Sequence, residues 1–406
     1  MHDMDIRRVT FADLLRPDVL ADPYPLFRRL RQEDPVHEDP QGRGWIVSRY
    51  DDIEKVLADR RFSAQRTLLA SEAPGASSAV QAALARQMLF LDPPDHTRLR
   101  SLFTKAFTPQ RMEALRPQVT MLVTGYLNHA EDLGGSIDFI EDFAIPLPVT
   151  VIAQMLGVPV ADRDRLRAWS VAFGKLINGR ILSPQELTEA QMGVLEFVKY
   201  FRDLITERRQ HTGDDMLSGL IEVEERGDRL NTEELIVNLI LLLAAGHGTT
   251  THLLGNGLLA LSRHPGEWTR LVAAPTVAQS AVNELLRYDG PVQSTGRVAL
   301  EDIPLGNKII KQGQYVTVFL GSANRDEAHF SEPEVLNLQR LGERPLSFGH
   351  GVHTCLGAAL ARMETQVAFS ELARRFPKLE VDTAAPEHNP SISFRGLIAL
   401  PVQLNA

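Results

Sequence analysis

The chain has 406 residues, 44% hydrophobic and 23% charged, with a formal net charge of −9 at pH 7. This is the composition of a globular protein that can bury a large core, and its acidic balance argues against nucleic acid as the main partner. The single cysteine, Cys355, excludes an internal disulfide and a multi-thiolate zinc site, and one unpaired thiol agrees with a reducing compartment.

The opening M-H-D-M-D-I-R-R-V-T lacks the apolar core of a signal peptide. Residues 10–34 read as a short amphipathic helical region, with a helix starting after Pro25. Val36 to Arg49 reads as a hairpin around D-P-Q-G-R-G, with Trp45-Ile46-Val47 as its second strand. Asp51 or Asp52 is expected to cap a helix through Asp59. Residues 64–88, with S-E-A-P-G-A-S-S-A, read either as a surface linker or as a mobile loop and short helix over a pocket. Asp92-Pro93-Pro94-Asp95 is a helix start, and on that helix His96 and Arg100 share one face. From 110 to 225 the pattern is helical, with breaks at Gly134-Gly135, Gly157-Val158-Pro159 and Gly213-Asp214-Asp215.

Asn231-Thr232-Glu233-Glu234 is a capping signal for a helix running to about Arg263, before Pro265. At about 1.5 Å per residue it would span roughly 45–50 Å. Its apolar run, Leu235 to Gly246, is interrupted by Asn238 and falls short of the roughly 20 residues a membrane span needs, so it reads as a core helix. Its middle is A-A-G-H-G-T-T, Ala244 to Thr250. A glycine inside a helix costs about 1 kcal/mol relative to alanine, so Gly246 and Gly248 need a reason, and close helix packing is the ordinary one. Glu284 and Arg287 form an E-x-x-R pair, weak as an isolated signal. Residues 308–320 read as a hairpin turning at Gln312-Gly313, and Pro390 to Val402 as closing strands with a turn at Arg395-Gly396.

Phe348 to Ala361, F-G-H-G-V-H-T-C-L-G-A-A-L-A, carries the chemistry. Glycines 349, 351 and 357 let a flat ligand approach the backbone, and the chain turns helical from Leu356, just after Cys355. Free N–H groups at a helix start favour a thiolate, and a loop presenting one thiolate suits an axial haem ligand. Here the chain resembles the cytochrome P-450 family of haem-thiolate monooxygenases, whose pattern F-x-x-G-x-x-x-C-x-G is met by Phe348, Gly351, Cys355 and Gly357. Further motifs fall in family order, so the resemblance covers nearly the whole chain.

The resemblance implies a mainly α fold with small β regions, a single domain over residues 1–406, and haem b buried between the long helix and the cysteine loop. It implies Cys355 as proximal iron ligand, with Phe348, Gly349, Gly357 and Ala245 also at the haem. His96, Arg100, Arg297 and His353 would bind the propionates. Glu284 and Arg287 would be the family's structural clamp, with Ala323-Asn324-Arg325-Asp326 and Asn337-Leu338-Gln339-Arg340 bracing the proximal side. The family shows A-G-x-(acid)-T-T in a helix that bulges over the distal face. Ala245, Gly246, Thr249 and Thr250 match, but Gly248 stands at the acid position. Thr249 would hydrogen-bond dioxygen and organise the waters that protonate it. Trp169 to Leu187 would be a lid, and Leu89, Leu242, Val292, Gln293, Thr295, Leu397 and Ile398 would line a mostly apolar pocket.

The reaction expected is insertion of one atom of O2 into a lipophilic substrate, as hydroxylation or epoxidation, in bacterial natural-product biosynthesis. Electrons would come from a separate ferredoxin or flavodoxin-type donor, docking near Arg98, Lys105, Arg111 or Arg362. The protein is expected to be a cytoplasmic monomer without membrane attachment. The alternatives are a peroxide-driven or non-redox haem-thiolate enzyme, which the missing acid favours, and a haem sensor or electron carrier, which would not need the paired threonines.

Overall fold

Helices dominate the computed structural model, which describes residues 5–66, 80, 84–177, 182–213, 215–225, 230–342, 344–384 and 386–404. The chain divides into two units: Met1–Phe62, Met112–Leu147 and Thr249–Ala406 form the first, Ser63–Arg111 and Pro148–Gly248 the second. Much of the region 64–88, and part of the segment Trp169 to Leu187 expected as a lid, lie outside the described residues.

In the first unit, four strands pair in the order Val36–Glu38, Trp45–Val47, Tyr315–Phe319, Ser294–Ala299. The expected hairpin forms, with Val36 opposite Val47. Trp45–Val47 then runs parallel to Tyr315–Phe319, with Trp45 opposite Val316. Gly44 permits this approach, because a Cβ there would lie 2.4 Å from the Tyr315 carbonyl oxygen. Val36, Trp45, Val47, Val316 and Val318 turn into one core cluster with Ile53, Val56 and Phe330.

Local expectations fail where a distant residue decides. The helix Tyr50–Ala58 is capped by neither Asp51 nor Asp52; the Asp326 carboxylate accepts the Tyr50 N–H at 2.8 Å. Residues 308–320 do not close a hairpin on themselves. Lys308–Ile310 pairs with Ile303–Leu305 through a turn at Gly306, whose φ is +60°, while Tyr315–Phe319 pairs with Ser294–Ala299. Ser136–Asp138, a strand with no local signal, pairs with Pro401–Gln403.

In the second unit, Arg163–Ile177 and Pro184–Gln210 cross where Gly193 meets Ala172; a Cβ on Gly193 would be 2.6 Å from that of Ala172. Along the crossing Trp169 packs tilted against Phe197, which stacks on Phe201.

The long helix spans Thr232–Ser262, 31 residues. Its capping box forms as expected: Asn231 Oδ1 accepts the Glu234 N–H at 2.9 Å, and Glu234 accepts the Asn231 N–H at 3.2 Å. By length and composition it could cross a membrane, with mean hydropathy 1.3 over its most apolar window, but 67% of that window is buried. Asn238, the polar break, accepts the Met88 N–H at 2.8 Å and donates to the Glu234 carbonyl. It satisfies buried backbone that a leucine there would leave unpaired.

Candidate active site

Two single turns, Leu346–Phe348 and Gly351–His353, shape the loop before Cys355. Gly349 and Gly351 join them with φ of 70° and 71°, in the left-handed region that favours glycine. Gly351 also lies against the Leu57 carbonyl, 2.7 Å from where a Cβ would sit. The Cys355 N–H donates to the Phe348 carbonyl at 2.8 Å and closes the loop, leaving the thiol exposed. The following helix is Ala358–Arg375, starting two residues later than the sequence suggested, so Cys355 precedes its N-cap Gly357 by two residues. Arg362, on its first turns, lies 4.5 Å over the Phe348 ring and donates to Asn283. Burial lowers its pKa, while Cys355 acts in the opposite sense.

Glu284 and Arg287 brace the loop from behind. Arg287 Nε and Nη2 donate to the two Glu284 oxygens at 2.7 and 2.8 Å, with both side chains almost wholly buried. Arg287 also donates to the carbonyls of Asn324, Pro333 and Val335. Glu284 accepts the Asn337 N–H and the Arg340 Nε–H. Asn324 accepts the Leu346 N–H and donates to Ser347, on the loop that leads to Cys355. Both sequence signatures expected to brace this side thus join one hydrogen-bonded frame. It explains a buried pair that would otherwise be costly, since every lone pair is used.

The long helix opens one face at mid-length. Ala245 is exposed, and Gly248, Thr249 and His252 are half-buried, while His247, Thr250 and Thr251 are buried. The helix stays α-helical throughout, without the expected bulge. Gly246 answers to packing: a Cβ there would be 3.1 Å from Ile152 Cγ1. Gly248 does not, since a Cβ there meets nothing within 4 Å. His247 points away from that face; its Nδ1 lies 3.3 Å from the Leu243 carbonyl, and burial holds its pKa down at about 4, so it is neutral. Thr251 Oγ1 donates to the Ala144 carbonyl at 2.9 Å.

The remaining expected residues divide between the units. His96 is buried and Arg100 half-buried on the helix Asp95–Thr104 of the second unit, which also carries Leu89 and Leu242. Arg297, buried on the strand Ser294–Ala299, and half-buried His353 belong to the first, with Val292, Thr295 and buried Leu397. Gln293 Nε2 donates to the Gly290 carbonyl at 2.8 Å, and the residue borders a small cavity of about 20 Å³ with Leu14 and Phe27. Arg395 turns inward, donating to Asp289 at 2.8 Å and to the carbonyls of Leu20 and Ala21. Arg98 pairs with Glu234 at 2.6 Å, so it is engaged within its own unit. Ile398 is half-exposed.

Sequence reading missed the network behind Arg395. Tyr24 donates to Asp289 at 2.6 Å. Burial opposes the Asp289 charge, but Arg395 and Tyr24 outweigh it and hold its pKa below the ordinary value. Partners so far apart in the chain leave no local signal.

The arrangement suits a flat iron macrocycle. The one thiol in the chain is soft, exposed and held by a closed loop, and an added Cβ at Gly357 meets no atom within 4 Å. The cytochrome P450 family profile matches residues 186–403. Cytochrome P450 monooxygenase PikC of Streptomyces venezuelae is 41% identical over 399 residues, covering 96% of this chain and 92% of that protein. Polyketide biosynthesis cytochrome P450 PksS of Bacillus subtilis is 37% identical, covering 94% and 96%. The crystal structure of P450BioI with a hexadec-9Z-enoic acid-ligated acyl carrier protein superposes with a TM-score of 0.89 at 36% identity, covering 96% and 99%. The chain belongs to the cytochrome P450 family and is an oxidoreductase of the monooxygenase type that uses haem b.

Proposed function

We propose that residues 1–406 act as one haem-thiolate monooxygenase domain that inserts an oxygen atom into a lipophilic natural product, by hydroxylation or epoxidation. The observation that carries this reading is the exposed Cys355 thiol on its glycine-framed loop, tied by Asn324 to the Glu284–Arg287 frame. The two units interleave along the chain, which supports one domain rather than two separable ones.

Haem, when bound, supplies the activation of dioxygen. The chain's own residues hold and serve it. Cys355 would hold the iron through its sulfur, on a loop framed by Phe348, Gly349 and Gly357, with Ala245 also at the haem. His96, Arg100, Arg297 and His353 would bind the propionates by charge-assisted hydrogen bonds. Thr249 positions water and oxygen, with Thr250 and the open position Gly248 beside it. Leu89, Leu242, Val292, Thr295, Leu397 and Ile398 present a mainly apolar surface to substrate. That surface, with the polyketide role named for PksS and the acyl chain held in the P450BioI crystal, supports a polyketide, terpenoid or macrolide substrate. Electrons come from a separate ferredoxin or flavodoxin-type protein, and the enzyme works as a cytoplasmic monomer.

The test is spectroscopic. Reduced protein with carbon monoxide should show the red-shifted thiolate band, and Cys355→His should abolish it; an unchanged band in that variant sinks the assignment. A second reading, peroxide-driven turnover, is favoured by the open position at Gly248. Product formed from hydrogen peroxide at the full rate, with none from electron donors, would select it.

A further inference from the structure

Arg362 stands on the first turns of the helix Ala358–Arg375, in the same unit as the cysteine loop. Its guanidinium lies 4.5 Å over the Phe348 ring, and its Nε donates to Asn283 Oδ1 at 3.0 Å. The Phe348 carbonyl in turn accepts the Cys355 N–H at 2.8 Å. Two groups act on the guanidinium through their charge: Cys355, which favours it, and exposed Arg344, which opposes it. An arginine stays protonated across the pH range in which enzymes work.

We infer that Arg362 is a positioning residue that fixes one positive charge beside the Cys355 loop, and that this charge sets how readily the bound haem takes its first electron. Uptake of one electron, supplied by the donor, makes the haem and its thiolate more negative by one charge. A cation close by stabilises that reduced form more than the oxidised one. The guanidinium is half-buried, so solvent and salt screen it less than an exposed charge. A free arginine side chain would swing among many rotamers, and holding it in one costs entropy. Here the Phe348 ring face and the Asn283 carbonyl oxygen offset that cost and keep the charge in one place. Asn283 is neutral, so it orients the guanidinium without cancelling its charge. A carboxylate at 283 would orient it equally well and offset the field.

This inference rests on the haem-thiolate reading, and the test separates the two. Haem-loaded protein is titrated with dithionite and mediator dyes, with no protein donor present, so docking plays no part. At the potential where the parent is half reduced, Arg362→Gln should show a ratio of reduced to oxidised haem roughly tenfold lower, while keeping the carbon monoxide thiolate band. Arg362→Lys keeps the charge but not the planar fork, and should recover most of that ratio. Asn283→Asp leaves Arg362 in place and sets a counter-charge on its Nε, so the ratio should fall in the same direction, by roughly threefold. Arg344→Gln, at an exposed site, should change it by less than about twofold. A parent-like ratio in Asn283→Asp and Arg362→Gln overturns the inference. So does an equal loss in Arg362→Lys and Arg362→Gln, because a merely structural role does not follow charge. A parent protein without the thiolate band brings down the Cys355 assignment, and this inference with it.

Discussion

Arg287 and Glu284, one turn apart on the helix Ala278–Asp289, meet in a two-pronged ion pair at 2.7 and 2.8 Å whose side chains are 1% and 2% exposed. A surface pair at this spacing would contribute a few tenths of a kcal/mol. Buried, the pair is strong only as long as both members remain.

Arg287→Ala should therefore destabilise the fold by about 3–5 kcal/mol, because Glu284 is left charged and enclosed. Arg287→Lys should recover only part, since an ammonium cannot reproduce the fork that also reaches the Asn324 and Pro333 carbonyls. Denaturant unfolding followed by far-ultraviolet circular dichroism measures both. A loss of less than about 1 kcal/mol in Arg287→Ala would contradict the account, being the scale of a solvent-exposed pair.

Glu364 supplies a pH dependence. It is buried on the helix Ala358–Arg375, and burial pushes its carboxyl up to about 8. Its folded pKa lies above its unfolded one, so the folded protein keeps a proton the unfolded chain has lost. The associated stability is present in full below the ordinary carboxylate pKa and is lost as pH rises toward about 8. Glu364→Gln, neutral at every pH, should match the parent near pH 5 and exceed it at pH 8 by on the order of 1–4 kcal/mol. Parallel stability curves for the two proteins across that range would count against the buried neutral acid.

The parts legible in sequence are those whose reason is local. The Cys355 loop announces itself through its glycines, and two of them take left-handed backbone. The Asn231 capping box lies within four residues and formed as read. What sequence did not show depends on residues far away. Tyr50 is capped by Asp326, Gln293 is held by the Gly290 carbonyl beside an interior cavity, and Arg98 answers to Glu234. The turn at Gly306-Asn307, not the one at Gln312-Gly313, sets the partner of Lys308–Ile310, which is Ile303–Leu305. The two mid-helix glycines looked alike in sequence, and only the position of Ile152 tells them apart.

Electron delivery should depend on salt. Lys105 and Arg111 are exposed in the second unit of a chain whose net charge is −9. They remain candidates for steering an acidic donor, whereas Arg98 is occupied by Glu234 and Arg362 by Phe348 and Asn283. Charge reversal at Lys105 and Arg111 together should slow first-electron transfer and flatten its decline with ionic strength. A rate indifferent to both salt and reversal refutes the assignment.

Haem retention tests the proposed propionate contacts. Each charge-assisted bond contributes on the order of 1.5–3 kcal/mol where desolvated. Arg297 is buried, with Nη1 donating to the Gly296 carbonyl at 2.7 Å, so its guanidinium is already oriented. Arg100→Ala with Arg297→Ala should lower haem occupancy after dialysis while leaving helical content unchanged. Full occupancy in the double variant would remove these residues from the proposal.

Gly246 and Gly248 should respond in opposite ways to the same added methyl group. Alanine removes the helix cost of glycine, about 1 kcal/mol at either position. At Gly248 nothing opposes this gain, because the new Cβ meets no atom within 4 Å. At Gly246 the Cβ would sit 3.1 Å from Ile152 Cγ1, on a branched carbon with little freedom to move, so strain cancels the gain or exceeds it. Gly248→Ala should thus be the more stable variant by about 1–2 kcal/mol. The same open position admits a longer side chain. Gly248→Asp should fold, bind haem and keep the ratio of product to electron donor equal to the parent's or better, because an acid joins the face that carries Thr249. Failure of Gly248→Asp to bind haem would show that this space is needed by something other than water. A Gly248→Ala protein less stable than Gly246→Ala would show that the helix cannot take a side chain there.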